Sequence, residues 1–281
     1  MPSFGSLLKA WRGARRYSQL ALASETQVSQ RHLSFLESGR ANPSRDMVLH
    51  LAQVLHVPLR ERNALLRAAG FAPLYPERNL DDAGMVAIRE ALETTLRHHE
   101  PYPALVVDRQ WNVVMHNAAV DRLVGMLGEP ARVWKKVDPT GGRNLMRLTL
   151  HPRGLRPLLV DWPGTAAALL LRLQAEVQAN PANTGLQTLL SDLRALPGMP
   201  PTEQPSAVLA MRVPVLALGL QVGDVALGLF SMVCTFGTAL DLTTDELRLE
   251  LLFPGDEVTA RFLRARDQAP VTARQPAPRG T

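Results

Sequence analysis

Apolar side chains in residues 18–39, SQLALASETQVSQRHLSFLESG, recur at the spacing of two short helices joined by a tight turn. Leu20, Leu22 and Ala23 are expected to face inward from the first helix and Leu33 and Leu36 from the second, with Val28 plugging the gap. That pattern turns Ser29, Gln30, Arg31, His32 and Phe35 outward from the second helix. A core of this kind is small, and it frees one helix to enter a DNA major groove, which is wide enough to admit it. The outward residues suit such a groove, since Gln30 can pair with adenine, Arg31 with guanine, and Ser29 or His32 with phosphates or base edges. The alternative is that they only solvate the face of an ordinary helical hairpin.

Helical periodicity breaks at Gly70 to Asp82, GFAPLYPERNLDD, where two prolines, turn formers and mixed charges mark a seam. The chain is therefore expected to divide into a domain over 1–70, a linker over 71–82, a second domain over 83–267 and a disordered Pro-, Ala- and Arg-rich tail over 268–281. The second domain opens with an expected helix, Ala83 to Arg97, striped by Val86, Ile88, Leu92 and Leu96. In ALVVDRQWNVVMHN, two β-rich runs flank Asp108-Arg109-Gln110, which reads as a tight hairpin, and Asn117 then precedes a helix it could cap. Leucines at helical spacing follow over Trp162 to Ala179 and Thr184 to Leu196. Strands return at Ala207 to Val222 and Val225 to Phe236, around the turn Gly223-Asp224, and at Leu247 to Phe253, where leucines alternate with Arg248 and Glu250. This order predicts a mixed α+β domain whose antiparallel sheet is covered by helices on one face. No internal repeat is evident.

Charge sharpens the picture. Residues 1–80 hold 11 Lys+Arg against 5 Asp+Glu, whereas the rest of the chain holds 20 against 21, so the basic excess sits on the first domain. A cluster such as Lys9, Arg12, Arg15 and Arg16 can displace counterions from a polyanion, giving binding that weakens steeply with salt. A basic terminal segment could instead touch acidic lipids, but no apolar run long enough to span a membrane is present and no signal-peptide pattern precedes the first helix. The single cysteine, Cys234, lies in an apolar run and is expected to be a buried, inert thiol; an internal disulfide is impossible, in keeping with a reducing cytoplasm. Nothing supports an enzyme or a cofactor. His98-His99-Glu100 matches no zinc spacing and more simply ends a helix, and there is no nucleophile elbow, P-loop or dinucleotide fingerprint.

Phe4 to Ala69 resembles the five-helix DNA-binding domain of the XRE regulators through Arg12, Ser18-Gln19-Leu20-x-Leu22-Ala23, Val28-Ser29, Leu33, Leu36-Glu37-x-Gly39, Pro43-Ser44 and Leu51-Ala52-x-x-Leu55. The resemblance implies that Ser29 caps the reading helix, that Gln19 opens the preceding helix and donates to a phosphate, and that Arg12 and Glu37 form an internal ion pair. It also implies that Gly39 ends the reading helix and that Arg40 and Arg45 grip the DNA backbone. Gln27 stands where the family has glycine and has to accept a left-handed conformation or reshape the turn.

Strand, turn, strand, Asn and helix is also how PAS sensor domains begin. The whole of residues 1–265 resembles the MmyB-like regulators, an XRE domain followed by a PAS-like ligand-binding domain. Val106-Val107-Asp108-x-x-Trp111, Asn144 to Leu148, His151-Pro152-x-Gly154-Leu155, Phe230 to Thr238, Leu242-Thr243 and Phe253-Pro254 carry this likeness. The expected architecture is thus an all-α five-helix helix-turn-helix domain followed by an α+β PAS-like domain. The resemblance implies double-stranded DNA and a small apolar ligand, such as a fatty acid, as partners.

Leu105, Val107, Val113, Met115, Leu218, Leu220, Leu227, Leu229 and Met232 could line a pocket for such a ligand, although any sheet needs the same side chains for its core. Arg147, His151 and Arg156 are the candidate partners of an acidic head group. Helix-turn-helix proteins bind paired half-sites, which points to a homodimer, and the second domain could instead serve dimerisation alone.

Overall fold

The computed structural model describes residues 2–138, 140–200 and 216–267, so the expected strand residues 207–215 and the tail 268–281 lie outside the described residues. Five helices open the chain: α1 (Phe4–Ala14), α2 (Gln19–Thr26), α3 (Gln30–Glu37), α4 (Arg45–Val54) and α5 (Leu59–Ala68). Ser3, Ser18, Ser29 and Ser44 start the first four, each hydroxyl accepting the backbone N–H three residues on. Those bonds satisfy donors that a helix leaves free at its start. Leu8, Leu22, Leu33, Leu36, Leu51 and Leu55 pack between the helices. Leu20 is not among them, contrary to expectation, and is 64 % exposed. The buried face of α2 is set by Leu22, Ala23 and Thr26, and a residue two places before Leu22 sits about 200° round the helix.

Two backbone devices fix how α3 is held. Helix α1 crosses its C-terminal end so closely that a Cβ on Gly5 would lie 2.4 Å from the Glu37 carbonyl oxygen. Gly39, with φ 74°, closes α3: its N–H donates to Leu36 and the Arg40 N–H to Phe35, the paired bonds of a Schellman cap. Gln27 adopts the left-handed conformation, φ 54° and ψ 29°, and its N–H still bonds to Ala23 and Ser24. The turn therefore keeps its shape without glycine.

Residues 71–82 form no helix or strand. They are pinned by Asn63, whose side chain accepts the N–H groups of Leu74 and Tyr75 and donates to the Tyr75 carbonyl. After a short 3-10 turn come α6 (Val86–His98), β1 (Ala104–Val107), β2 (Val113–His116), α7 (Ala118–Val124), α8 (Pro130–Val137) and α9 (Leu145–Leu150). The chain continues with α10 (Trp162–Ala179), α11 (Thr184–Arg194), β3 (Leu216–Val222), β4 (Val225–Thr235), α12 (Leu242–Glu246), β5 (Arg248–Pro254) and α13 (Glu257–Asp267). Helix α6 starts later than the Ala83 expected, and Met85 is buried while Val86 is 48 % exposed.

The five strands form one antiparallel sheet in the order β2-β1-β5-β4-β3, a PAS-like arrangement in which the last strand lies at the centre. Residues of α7 to α11 and α13 pack with Leu105, Val107, Leu229 and Leu252 on one face to make the main core. The opposite face is covered too, since α6 lays Leu92 and Leu96 on Ala104, Val106 and Leu247. Cover on both sides explains why all four residues of β1 are buried, and it corrects the one-faced sheet read from the sequence.

Local departures follow from the backbone. The β1–β2 register shifts between Val106 and Val107, so Val113 pairs with Val107 and Met115 with Val106. This bulge sends Val113 to the main core and Met115 to the α6 side. The connection is wider than a tight hairpin: Asp108 accepts the N–H groups of Gln110 and Asn112 and the Asn112 amide, and Trp111 has φ 67°. Asn117 starts α7 without capping it. Its side chain instead accepts from Ala104 N–H and donates to the carbonyls of Leu96 and Tyr102. Cys234, expected to be buried, is exposed; β4 turns Leu227 and Leu229 inward, while Met232 and Cys234 fall on the exposed stretch near its end. No helix among the described residues is long and apolar enough to cross a membrane.

Candidate nucleic-acid interface and ligand cavity

Helix α3 presents Ser29, Gln30 and Arg31 to solvent, with His32 and Phe35 half-buried. The Arg31 guanidinium lies over the Phe35 ring at 5.3 Å and that of Arg40 at 5.9 Å. Contact through the ring face steadies a cation without consuming its N–H donors, which stay available for a base edge or phosphate. Lys9, Arg16, Arg40 and Arg45 are exposed.

Other basic and polar residues of this domain are spent inward. Arg12 holds Glu37 through Nε at 2.6 Å and Nη2 at 3.0 Å, and donates from Nη1 to the Tyr17 carbonyl. Gln19 opens α2, and its amide donates one hydrogen bond to Glu37 Oε2 at 2.8 Å. Burial acts to raise the Glu37 pKa, but the hydrogen bonds of Arg12 and Gln19 and the charges of Arg12 and Lys9 outweigh it and leave the carboxyl below its ordinary value. Arg15 donates to the carbonyls of Leu55, His56 and Ala179. Of the four cations expected to meet a polyanion, Arg12 and Arg15 are thus engaged within the protein.

In the second domain a cavity of about 60 Å³ lies between the sheet and the helical layer. That is more than the 10–15 Å³ or so that one water needs. Its wall is mostly aliphatic, with Leu105, Leu123, Leu148, Leu169, Leu218 and Leu252 among the lining residues, and it is broken by Arg172, Ser231 and Glu250. Of the residues the sequence offered for a ligand pocket, Leu105 and Leu218 line this cavity. Val107 and Leu229 belong to the surrounding core, with Val113 packed against it, whereas Met115 faces the α6 side and Met232 is exposed.

The three expected head-group partners lie outside the cavity lining. Arg147 pairs with Asp192, and Arg156 stacks on Trp162 at 3.9 Å while donating to the Pro197 and Gly198 carbonyls. His151 is pushed below its ordinary pKa by burial and by the charges of Arg153, Arg147 and Arg156, which favours the uncharged ring. What the sequence did not single out is a cluster around Trp111. Its ring lies 4.4 Å from the Arg172 guanidinium and 5.1 Å from that of Arg248. Its N–H donates to Glu176 Oε2 at 3.1 Å, and Arg248 holds Glu176 Oε1 at 2.8 Å. Of the residues that alternate with leucines in β5, Glu250 lines the cavity and Arg248 lies against Trp111 of the main core.

The same turn reaches the DNA-binding domain. Arg109, two residues before Trp111, lies 3.2 Å from Glu61 on α5 and 3.4 Å from Glu246 on α12. Arg60 of α5 holds both Glu246, at 2.6 Å, and Glu77. Asp245 accepts the Leu59 N–H at 3.2 Å, giving the start of α5 the cap that Pro58 lacks.

A helix-turn-helix module seated on an α+β domain that encloses an apolar cavity defines a DNA-binding regulator with a ligand-binding domain. The chain belongs to the MmyB-like regulators: the family model "MmyB-like transcription regulator ligand binding domain" matches residues 88–265, and a helix-turn-helix domain model matches residues 3–65. Among solved structures, that of an RNA-binding Light-Oxygen-Voltage receptor is similar at 12 % identity and a TM-score of 0.27, over 94 % of this chain and 60 % of that one. The chain thus spans less than two thirds of that structure's length. No curated protein matches the sequence.

Proposed function

We propose that the protein is a sequence-specific transcriptional regulator that reads operator DNA with α3 and responds to a small apolar ligand, of which a fatty acid is one example, acting as a homodimer. The observation that carries this reading is the single turn, Asp108 to Asn112, that walls the cavity through Trp111 and grips the DNA-binding domain through Arg109. A ligand changes an equilibrium only by binding one arrangement better than another. A cavity whose wall also carries an interdomain contact supports this reading, because a ligand that moves the turn also bears on that contact.

On the DNA side, Arg31→Ala is expected to weaken operator binding by about 1–3 kcal/mol and to relax preference at one base pair. A binding selection checks this; unchanged discrimination removes Arg31 from base reading. Lys9→Ala is expected to weaken all sequences alike and to flatten the salt dependence by about one unit of slope, as loss of one phosphate contact does. Titrations at several salt concentrations measure that, and a sequence-selective loss contradicts the phosphate assignment. On the ligand side, mass spectrometry of an organic extract of the purified protein is expected to show a bound apolar molecule. An extract at background level would favour a second domain that serves dimerisation alone.

A further inference from the structure

Glu250 occupies the middle of β5, the central strand of the sheet, between Leu105 of β1 and Val233 of β4. Its side chain lines the cavity, is 6 % exposed, and among the described residues its Oε2 has no hydrogen-bond partner. A desolvated acceptor left unpaired is costly, and more so when charged. The two neighbouring cations do not hydrogen-bond that oxygen, because Arg172 and Arg248 lie over the Trp111 ring and pair with Glu176. Another hydroxyl on the lining, that of Thr149, donates to the Leu145 carbonyl. Among the described residues, a mostly apolar cavity therefore presents a buried acceptor, Glu250 Oε2, that no donor answers, although the Ser231 hydroxyl stands on the same lining.

We propose that the ligand of this cavity is an apolar molecule with a hydrogen-bond-donating head group, as in an alcohol or a primary amide, which gives its donor to the free carboxylate oxygen of Glu250. The inference rests on reading the domain as a receptor for an apolar ligand and goes on to specify the polar end. It disfavours a simple fatty-acid anion, since a second carboxylate brought beside Glu250 in a low-dielectric space can share the site only by taking up a proton. Burial already raises the Glu250 pKa, and the charges of Arg172 and Arg248 with the Ser231 hydroxyl offset this only in part. A hydrogen-bonded donor would relieve that desolvation.

The test uses the full chain and three probes of one chain length: octan-1-ol, octanamide and octanoate, titrated at neutral pH by calorimetry. The alcohol and the amide are expected to bind at least tenfold more tightly than octanoate. Glu250→Gln, nearly isosteric and confirmed as folded by circular dichroism, supplies a donor in place of the anion and is expected to raise octanoate affinity at least tenfold. Octanoate binding the wild-type chain as well as the other two, or an unchanged head-group preference in Glu250→Gln, overturns the assignment of Glu250 while leaving an apolar receptor intact. Failure of all three probes to bind overturns the receptor reading as well.

Discussion

Arg12→Ala is expected to destabilise the N-terminal domain by about 3–5 kcal/mol, the range for removing one partner of a buried ion pair. The Glu37 side chain is 4 % exposed, so its carboxylate would remain desolvated with only the Gln19 amide to answer it. The loss is local, and hydrogen exchange of the α1 and α3 amides measures it against an unchanged second domain. Replacing both partners, Arg12→Met with Glu37→Leu, is expected to cost far less than Arg12→Ala alone, because no buried charge is then stranded. A double variant as unstable as the single one would place the energy in packing rather than in the pair.

The pair also predicts a direction with pH. The folded-state pKa of Glu37 lies below its unfolded value, so its contribution is complete above the ordinary carboxylate range and fades as acid protonates the folded form. The wild-type domain is therefore expected to lose stability on acidification more steeply than the double variant. Arg12, Gly5 and the Gly39 cap together fix the C-terminal end of α3, and with it the direction in which Gln30 and Arg31 project from the domain surface.

The N-terminal domain is legible in the sequence because its signals are local. Serine caps, the Leu22/Ala23 and Leu33/Leu36 pairs and a glycine after α3 each act within a few residues, and even the left-handed Gln27 can be anticipated. Leu20 misleads because apolarity alone says nothing of phase; the face is fixed by Thr26, a residue whose hydroxyl bonds back to Leu22 and whose polarity disguises its burial. The second domain is legible in the succession of its elements along the chain and in its long helices, less so in its chemistry. A bulge between β1 and β2, invisible to a period-two reading, separates Val113 from Met115. In β5, Leu249 and Leu251 pack on the smaller core under α6, while Arg248, Glu250 and Leu252 reach the larger one. Polar residues facing a cavity look like polar residues facing water when only alternation is read. Trp111, Arg172 and Glu176 come from a turn and a helix far apart in sequence, and no spacing rule connects them.

Trp111→Ala is expected to lower the stability of the second domain by about 3–5 kcal/mol, the usual range for truncating a buried tryptophan to alanine. Trp111 is 1 % exposed and lines a cavity that already exists, so its removal enlarges a void instead of allowing the walls to collapse. The change also strips Glu176 Oε2 of the indole donor and takes away the ring that two guanidinium groups contact. Trp111→Phe keeps an aromatic ring and loses the N–H; the expected cost falls to about 1 kcal/mol. Denaturant unfolding of the two variants separates packing from hydrogen bonding.

The functional outcome is more specific than the loss of stability. In Trp111→Ala the turn from Asp108 to Asn112 loses its anchor in the cavity wall, while Asp108 still holds the turn's own hydrogen bonds and Arg109 remains beside Glu61. Operator affinity without ligand is therefore expected to stay within a few-fold of wild type at temperatures where the variant is folded, and the response to ligand to vanish. Trp111→Phe should retain the response. Adjacency by itself proves no coupling; what couples two sites is an element whose arrangement both of them bias. A Trp111→Ala variant that binds ligand and still shifts operator affinity as the wild type does would show that the signal leaves the cavity by another route, with the sheet and α12, through Asp245 and Glu246, the next contact to test.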